Sequence, residues 1–505
     1  MVFDKAVNVA DCILDDENKD RTVFVEPLRP GGRIEITLSQ FNRVADGVAH
    51  GLLEAGLAPQ ERIALASANR WEFMAAFYGI LRAGMVAVPL NYKLPDDVLS
   101  ALVNQVDVRL AFCDDERSQS VSNIERINFD ADGGAKFKTF TEQKISPLPR
   151  VDPASVAKIL FTSGSTGMPK GVPSTHQGLI WALRKYAPAD GTPRTGRTLI
   201  VAPTYHKNGL FLSCEAIASG KTIVSMPAFH ARPYLETIAA EECTDLSGVP
   251  SMFAMAAKES DLIDRLDLTS VSSALIGSAP LSERLIQRIR EIFPNMEIKN
   301  GYGLTEAGPA IFGPHPNGLE RPIASVGCPW PDIEWRFASK DCADEGVLQL
   351  KTPAMTSGYW GRPELTAERF NQGWYHTGDV MRRDEDGFFY FVGREDDMFV
   401  CGGENIYPGQ VERTLELHPD VAEAVVVSAP DDIKGAIPVA FVVLRDGAAF
   451  DEHGLKQFSL SRGPAYQHPR RIAALEALPL ASTNKVDRKA LALNAVELVA
   501  DRERF

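Results

Sequence analysis

The sequence lacks the closely spaced cysteines of a disulfide framework or a structural zinc site. Its 505 residues contain seven cysteines, an odd number, and they form no C-x-x-C pair. Disulfide-stapled domains and structural zinc sites both depend on paired thiols. We therefore expect reduced thiols and a cytoplasmic protein.

Long apolar runs and an excess of basic charge are also missing. No uncharged apolar stretch approaches the length of a membrane span, and residues 1–20 lack the basic start and apolar run of a secretory signal. The formal net charge of −14 gives no support to nucleic acid or an anionic membrane as a partner. We expect neither partner, and a phosphate ligand would need a local basic site.

Helical patterns and short apolar segments alternate along the chain, without internal repeats or low-complexity tracts. Apolar residues recur at helical spacing over 41–52 and again over 71–82. The segments typical of buried strands are "RIALAS" (62–67), "MVAVPL" (85–90), "AKILF" (157–161), "TLIVA" (198–202), "TIVSM" (222–226) and "SALIG" (273–277). This alternation predicts an α/β fold with layered, parallel sheets.

Two changes of composition divide the rest of the chain. Residues 325–392 are rich in glycine, proline and aromatic residues, which predicts a small β substructure. From 394 onward a compact unit follows, with a helix that begins at Pro408 and the strands "AEAVVVSA" (422–429) and "VAFVVL" (439–444). We predict a large N-terminal α/β domain over residues 1–395 and a small C-terminal α+β domain over residues 396–505.

The stretch "FTSGSTGMPKGV" (161–172) has the composition of a phosphate-binding loop. It is not a Walker A loop, because Pro169 stands where that motif needs glycine and the chain after Lys170 has an extended pattern instead of a helical one. What remains is a Ser/Thr/Gly loop that can surround a polyphosphate, with Lys170 as a point charge. A plain surface turn is the alternative.

Further motifs follow in a fixed order. They are "PTYHKNG" (203–209), "GSAP" (277–280), "NGYGLTEAG" (300–308), "SGYWGRPELTAERF" (357–370), "GWYHTGDV" (373–380), "GREDDMFVCGGENIYPGQVE" (393–412) and "LPLASTNKVDRKAL" (478–491). Together with the loop at 161–172, this set resembles the acyl-adenylate-forming (AMP-binding) superfamily, in its acyl-CoA synthetase or acid–thiol ligase branch.

The resemblance implies a two-step reaction that uses ATP, Mg²⁺ and coenzyme A. A carboxylic acid first becomes an acyl-adenylate with release of pyrophosphate, and a thiol then displaces AMP. One alternative is a stand-alone adenylation enzyme that loads the phosphopantetheine thiol of a carrier protein. Another is a catalytically inactive nucleotide sensor, which predicts loss of Lys485, Glu306 or Asp379, but all three are present.

The resemblance also implies a nucleotide site and a thiol tunnel. The residues expected to bind ATP or its AMP part are Thr162, Ser163, Gly164, Ser165, Thr166, Gly167, Lys170, Gly277, Ser278, Ala279, Asn300, Gly301, Tyr302, Gly303, Asp379 and Arg394. Within this set, Tyr302 is expected to lie against adenine and Asp379 to bind the ribose hydroxyls. Gly402 and Gly403 are expected to line the tunnel for the pantetheine of coenzyme A, and the small domain is expected to rotate about Asp396.

Four residues match the family's catalytic positions: Lys485, His206, Thr305 and Glu306. By resemblance, Lys485 contacts the carboxylate and the α-phosphate, Thr305 binds the α-phosphate, and Glu306 is the Mg²⁺ ligand. His206 matches the position between the acyl pocket and the tunnel, where a gate or packing role is as plausible as proton transfer. Without the motifs, Glu306 and Lys485 would be read as solvated surface residues and Asp379 as a turn residue.

The candidate acyl pocket contains His206, Lys207, Asn208, Gly209, Val249 and Gly308. Related enzymes often have apolar residues where Lys207 and Asn208 stand, so a polar or doubly acidic substrate fits if either side chain points into the pocket. Otherwise Lys207 meets solvent or coenzyme A. Other departures are Asn484 in place of the usual glycine before the catalytic lysine, and Cys401, a candidate redox-sensitive thiol.

Overall fold

The computed structural model describes residues 2–13, 18–121, 123–142, 147–162, 168–186, 194–277, 283–338, 343–401, 404–431, 433–481 and 485–500. The helices in these ranges are α1 (Val2–Lys5), α2 (Leu38–Glu54), α3 (Trp71–Arg82), α4 (Asp96–Gln105), α5 (Ala135–Thr141), α6 (His176–Tyr186), α7 (Lys207–Ser219), α8 (Ala231–Ala240), α9 (Pro250–Ala256), α10 (Ser260–Ile263), α11 (Glu283–Ile292), α12 (Pro363–Arg369), α13 (Pro408–Glu416), α14 (Glu452–Arg462) and α15 (Arg488–Ala500). Short 3-10 helices lie at Val9–Asp11 and Ala131–Gly134.

The strands up to residue 301 supply two large sheets. They are β1 (Thr22–Glu26), β2 (Ile34–Thr37), β3 (Arg62–Ala66), β4 (Val86–Pro89), β5 (Val108–Cys113), β6 (Glu125–Asn128), β7 (Val156–Thr162), β8 (Lys170–Thr175), β9 (Arg197–Ile200), β10 (Thr222–Ser225), β11 (Asp245–Gly248), β12 (Ser273–Gly277) and β13 (Glu297–Gly301). One sheet has the order β6-β5-β3-β4-β7-β8 and the other β13-β12-β11-β9-β10-β1-β2. Neighbouring strands of these two sheets run parallel, except β7 with β8 and β1 with β2, which are antiparallel. The predicted α/β class is thereby confirmed.

The remaining strands form smaller β structures. They are β14 (Phe312–Gly313), β15 (Cys328–Pro329), β16 (Glu334–Ala338), β17 (Glu345–Lys351), β18 (Phe370–Asn371), β19 (Trp374–Arg383), β20 (Phe389–Arg394), β21 (Phe399–Cys401), β22 (Glu404–Ile406), β23 (Val421–Asp431), β24 (Gly435–Leu444) and β25 (Arg471–Leu475). Strands β16 to β20 make one antiparallel sheet, and β21 to β25 make a mixed sheet in which β25 pairs with β24 in parallel. The predicted β texture of 325–392 and the helix start at Pro408 agree with these elements.

The described residues form five hydrophobic cores, and two of them bear on the domain boundary. The largest contains apolar side chains of α2, α3, α6 and α7 together with inward-facing residues of both large sheets. Another is built only from residues of the last hundred or so positions, on β23, β24 and the helices α13 and α15 that pack on β23. The boundary that we predict at Asp396 falls between these cores and stays a prediction.

His176 joins the start of α6 to the N-terminal segment inside the largest core. Its side chain has 0% exposure, and its Nδ1 accepts a hydrogen bond of 3.2 Å from the backbone N–H of Val9. Burial lowers the pKa of His176 to about 4. The folded protein therefore contains the neutral imidazole at pH values where the unfolded chain binds a proton.

This shift predicts acid destabilisation that depends on His176. Below pH 6.5 the unfolded chain takes up a proton that the folded chain does not, so lowering the pH from 7 to 5 should cost about 2 kcal/mol of unfolding free energy at this one residue. In His176→Asn, whose side-chain oxygen can still accept from Val9, the loss between pH 7 and pH 5 should be smaller by that amount. Urea unfolding at several pH values measures it. Equal pH dependence in the two proteins would disprove the assignment.

Candidate functional site

A cleft of about 1450 Å³ brings most of the predicted nucleotide residues together. The predicted site residues that line it are Lys207, Asn208, Val249, Gly277, Asn300, Gly301, Tyr302, Gly303, Asp379, Arg394 and Lys485. They come from the ends of β12 and β13, the start of α7, strands β19 and β20, and the segment before α15. Residues nearly three hundred positions apart thus face one space.

Asp379 is a buried carboxylate in the wall of the cleft. It is only 2% exposed; its Oδ2 accepts a hydrogen bond of 2.5 Å from the Tyr302 hydroxyl, and its Oδ1 lies 2.7 Å from Arg394 Nη1. Burial raises the pKa of Asp379, and the charge of Arg394 opposes that rise. The contacts fix a carboxylate at the cleft surface with lone pairs left for a diol.

Gly277 and Gly301 form a part of the cleft wall that has no side chains. They are register partners at the ends of the parallel strands β12 and β13. A Cβ on Gly277 would lie 2.4 Å from the carbonyl oxygen of Gly301, and a Cβ on Gly301 would lie 2.8 Å from Leu275 Cδ1. Glycine is required here by close approach, as expected for a surface that a flat ring covers.

The phosphate-loop motif lies between two antiparallel strands. Thr162 ends β7, Lys170 begins β8, and the two are register partners. A Walker A loop instead joins a strand to a helix. The interpretation of Pro169 as a mark against that motif agrees with this topology.

Lys170, Tyr359 and Glu306 form a chain beside that loop. Lys170 Nζ lies 5.3 Å from the centre of the Tyr359 ring, and the Tyr359 hydroxyl donates to Glu306 Oε1 at 3.1 Å. Glu306 is 9% exposed. Burial raises its pKa, and the charges of Lys207 and Lys170 oppose the rise.

This environment fits a divalent cation held with help from the ligand. Within the described ranges, no group of three or more His, Cys, Asp and Glu side chains is arranged to hold a metal ion alone. Mg²⁺ is commonly bound by one or two carboxylates together with water and phosphate oxygens. The buried Glu306 carboxylate suits that role, since a cation would offset the cost of its burial.

A second, smaller cavity of about 30 Å³ adjoins the cleft. Thr305 and Gly308, both predicted, line it, and Lys207 lines both spaces. Burial, followed by the charge of Lys485, lowers the pKa of Lys207 to about 7. A Cβ at Gly303 would lie 3.0 Å from Lys207 Nζ, so this ammonium sits directly beside the motif at 300–308. The Lys207 side chain therefore points into the site. This is the alternative under which the sequence analysis expects a polar or doubly acidic substrate.

Sequence reasoning missed Lys158 and Ser174, which also line the small cavity. The Lys158 ammonium donates to Ser174 Oγ at 3.2 Å across the β7–β8 pair. The one feature of the sequence that could have indicated Lys158 is its position as a single lysine inside the apolar strand "AKILF". Strand patterning alone does not say which face such a lysine occupies.

His206 lies half-buried just before α7, at the residue that precedes its first turn. Burial, followed by the charge of Lys485, lowers its pKa to about 4, so the ring is neutral near pH 7. Its Nε2 is buried without a hydrogen-bond partner among the described residues. A neutral, unbonded Nε2 is compatible with either role of His206, as a gate or as a proton acceptor.

Some predicted residues lie elsewhere. His206, Gly209 and Glu306 are absent from the walls of the two cavities described above. Gly209 lies in the first turn of α7, and a Cβ on it would lie 2.3 Å from the Ala202 carbonyl oxygen, so this turn packs closely on that backbone. Cys401 is buried in the C-terminal core. The residues that lie outside the described ranges are Ser163, Gly164, Ser165, Thr166, Gly167, Ser278, Ala279, Gly402, Gly403 and Asn484.

Asp396, the predicted hinge, follows β20 in a turn. Its Oδ2 lies 3.5 Å from Arg369 Nη2 and 3.6 Å from Arg394 Nη2. Asp396 therefore forms two long, partly exposed ion pairs, which contribute little to stability. One of them is with Arg394, which also binds Asp379. The hinge role of Asp396 stays a prediction.

Comparison with known proteins places the chain. The AMP-binding enzyme family model matches residues 15–360, and the model of the AMP-binding enzyme C-terminal domain matches residues 410–485. A fatty acid–[acyl-carrier-protein] ligase, ScoC of Streptomyces coeruleorubidus, is 31% identical over 92% of this chain and 93% of its own length. A feruloyl-CoA synthase of Amycolatopsis sp is 30% identical over 91% and 94%.

The fold has a close counterpart among solved structures. The anthranilate CoA ligase AuaEII in complex with anthranoyl-AMP superposes with a TM-score of 0.87 and 23% identity, over 99% of this chain and 100% of that one. No helix in the described ranges has the length and apolar character needed to span a membrane. By its sequence and fold, the chain belongs to the AMP-binding enzyme family, among the AMP-forming acid–thiol ligases.

Proposed function

We propose that the protein is an acyl-CoA synthetase that activates a carboxylic acid with ATP and transfers the acyl group to coenzyme A. The observation that supports this most strongly is that Lys485, the Asp379–Arg394 pair and Tyr302 face one cleft. They come from distant parts of the chain and match the positions that the family resemblance assigns to the nucleotide and the acid.

In the first step, a carboxylate oxygen attacks the α-phosphorus of ATP, and the bond to the bridging oxygen breaks to release pyrophosphate. Lys485 donates to the carboxylate and α-phosphate oxygens, where negative charge must be neutralised. Thr305 donates to the same phosphate, and Lys170 lies on the side of the leaving pyrophosphate. Asp379 accepts from the ribose hydroxyls. When bound at Glu306, Mg²⁺ supplies charge neutralisation for the phosphates.

In the second step, the thiol sulfur attacks the acyl carbon, and the bond to the adenylate oxygen breaks to release AMP. The neutral imidazole of His206 stands next to Lys207 at the site's edge. We assign it to a position between acid and thiol. Gly402 and Gly403 are the proposed tunnel residues, and Asp396 is the proposed pivot.

Transfer to a carrier protein is the second candidate. It is favoured by one relative, the ligase ScoC, whose name specifies an acyl carrier protein. The name of the feruloyl-CoA synthase, a relative of similar identity, instead specifies a coenzyme A thioester. The first step is common to both candidates, so only the acceptor separates them.

The acceptor is decided by comparing thioester formation from one acid with free coenzyme A and with phosphopantetheinylated carrier proteins. We expect kcat/KM with coenzyme A to exceed that with any carrier by about tenfold or more, since a dedicated acceptor is recognised by differential transition-state binding. Unmodified carrier protein is the control. Faster transfer to a carrier would reject the coenzyme A assignment and leave the adenylation step standing.

Replacing Lys485 should separate the two half-reactions. In Lys485→Ala, pyrophosphate release should fall by about 100- to 1000-fold, because a charged donor to the transition state is lost. Thioester formation from a supplied acyl-adenylate should stay within about threefold. Lys489→Ala, at an exposed position on α15, is the matched control and should be unaffected. An equal loss in both steps would refute a role confined to adenylation.

Replacing Glu306 should weaken the binding of Mg²⁺ to the protein. Glu306→Gln keeps the volume and the contact with Tyr359 but removes the charge, so adenylation should slow by about 100-fold and half-saturation should need more Mg²⁺. A Mg²⁺ titration of pyrophosphate release measures this. Glu54→Gln, exposed at the end of α2, serves as control. An unchanged Mg²⁺ dependence would show that Glu306 is not the ligand.

A further inference from the structure

The small cavity beside the cleft contains two lysines and no acidic side chain among its lining residues. Lys158 lines this cavity but not the cleft, whereas Lys207 lines both. Phe211, Leu304 and Pro309 are also shared, so the cavity adjoins the cleft, and Lys207 lies between the two spaces.

Lys158 is buried without a counter-ion. It is 6% exposed, and its Nζ donates to Ser174 Oγ. No carboxylate of the described residues acts on Lys158, whereas the charges of Glu306 and Asp379 act on Lys207 without an ion pair. Burial lowers the pKa of Lys158 to about 8, so the ammonium form still dominates at pH 7.

Another buried lysine, Lys221, does have carboxylate partners. Lys221 is 7% exposed, and its ammonium lies 3.1 Å from Asp245 and 4.0 Å from Glu215. Buried charges are normally paired in this way, because an unpaired one is costly to desolvate. The missing partner of Lys158 is therefore expected from a ligand.

We propose that this cavity binds a second carboxylate of the acid substrate, which makes the substrate class a compact dicarboxylic acid. The inference rests on the proposed function, because it concerns the same acid. Lys158 and the Ser174 hydroxyl bind the distal carboxylate, while Lys207 lies between it and the reacting carboxylate near Lys485. Leu179, Leu183 and Leu210 surround the carbon atoms.

The size and polarity of the cavity agree with that ligand. Its 30 Å³ hold about two water-sized groups, which matches a carboxylate and excludes a long chain. Its walls are apolar apart from the two lysines, Ser174, Thr305 and Cys214. A charge-assisted hydrogen bond in such surroundings is stronger than one in water.

The test compares acids that differ only in the second carboxylate. Pyrophosphate release is measured with succinate and butyrate, glutarate and valerate, and phthalate and 2-methylbenzoate. For at least one pair, kcat/KM of the wild type should be about tenfold or more higher for the diacid. Lys158→Met should lower the diacid value by about 100-fold and leave the monoacid within about threefold, because only a charged contact is removed.

Two further variants support the comparison. Lys136→Met, the same substitution at an exposed position of α5, should leave the ratio of diacid to monoacid unchanged. Lys158→Met should also raise the melting temperature, because an unpaired buried charge is removed. Should it fail to fold, Ser174→Ala takes its place and should reduce the diacid preference by about fivefold. An unchanged preference in Ser174→Ala overturns the proposal.

The outcomes separate this inference from the proposed function. Turnover of monoacids without any diacid preference overturns the inference and leaves the ligase function intact. Absence of pyrophosphate release with every acid contradicts the proposed function, and calorimetric titration of the same acids then decides the inference. The inference is supported if the wild type binds the diacid of a pair more tightly than the monoacid and Lys158→Met abolishes that difference. Equal binding of both members of every pair overturns the inference.

Discussion

The buried carboxylate of Asp379 is the contact on which the cleft depends. It lies on β19 of a small antiparallel sheet, yet it binds Tyr302, which follows β13 of a large parallel sheet, and Arg394 on β20. One side chain thus joins two sheets at the point where a nucleotide would lie. Its burial raises its pKa, and the charge of Arg394 and the hydrogen bond from Tyr302 oppose that rise.

Two charged side chains near the cleft, Glu306 and Lys158, have only a neutral hydroxyl as their side-chain hydrogen-bond partner among the described residues. The hydroxyl belongs to a tyrosine for Glu306 and to a serine for Lys158. Elsewhere in the interior, Lys221 and Asp245 neutralise each other. Polar groups left with excess charge inside a fold mark functional positions, because stability alone would select paired or apolar side chains.

The sequence predicted the α/β class and several residues that share one cleft, whereas their roles toward a nucleotide stay predictions. Strand patterns such as "SALIG" correspond to β12, and the motifs place Tyr302, Asp379 and Arg394 in one cleft. Lys158 was missed because its importance depends on which face of β7 it occupies and on what α6 and α7 place opposite. Gly209 was assigned to the pocket, but the close backbone of Ala202 shows a packing role that spacing does not reveal.

The antiparallel pairing of Thr162 with Lys170 has a consequence for how the family can diversify. Both ends of the phosphate-loop motif are fastened to the same sheet, side by side. Residues inserted between them lengthen the excursion at a small entropic cost and leave the strand register untouched. In a Walker-type arrangement the loop runs into a helix, so a change of length displaces that helix. Here a change in the number of residues between Thr162 and Lys170 leaves the register of β7 and β8 unchanged.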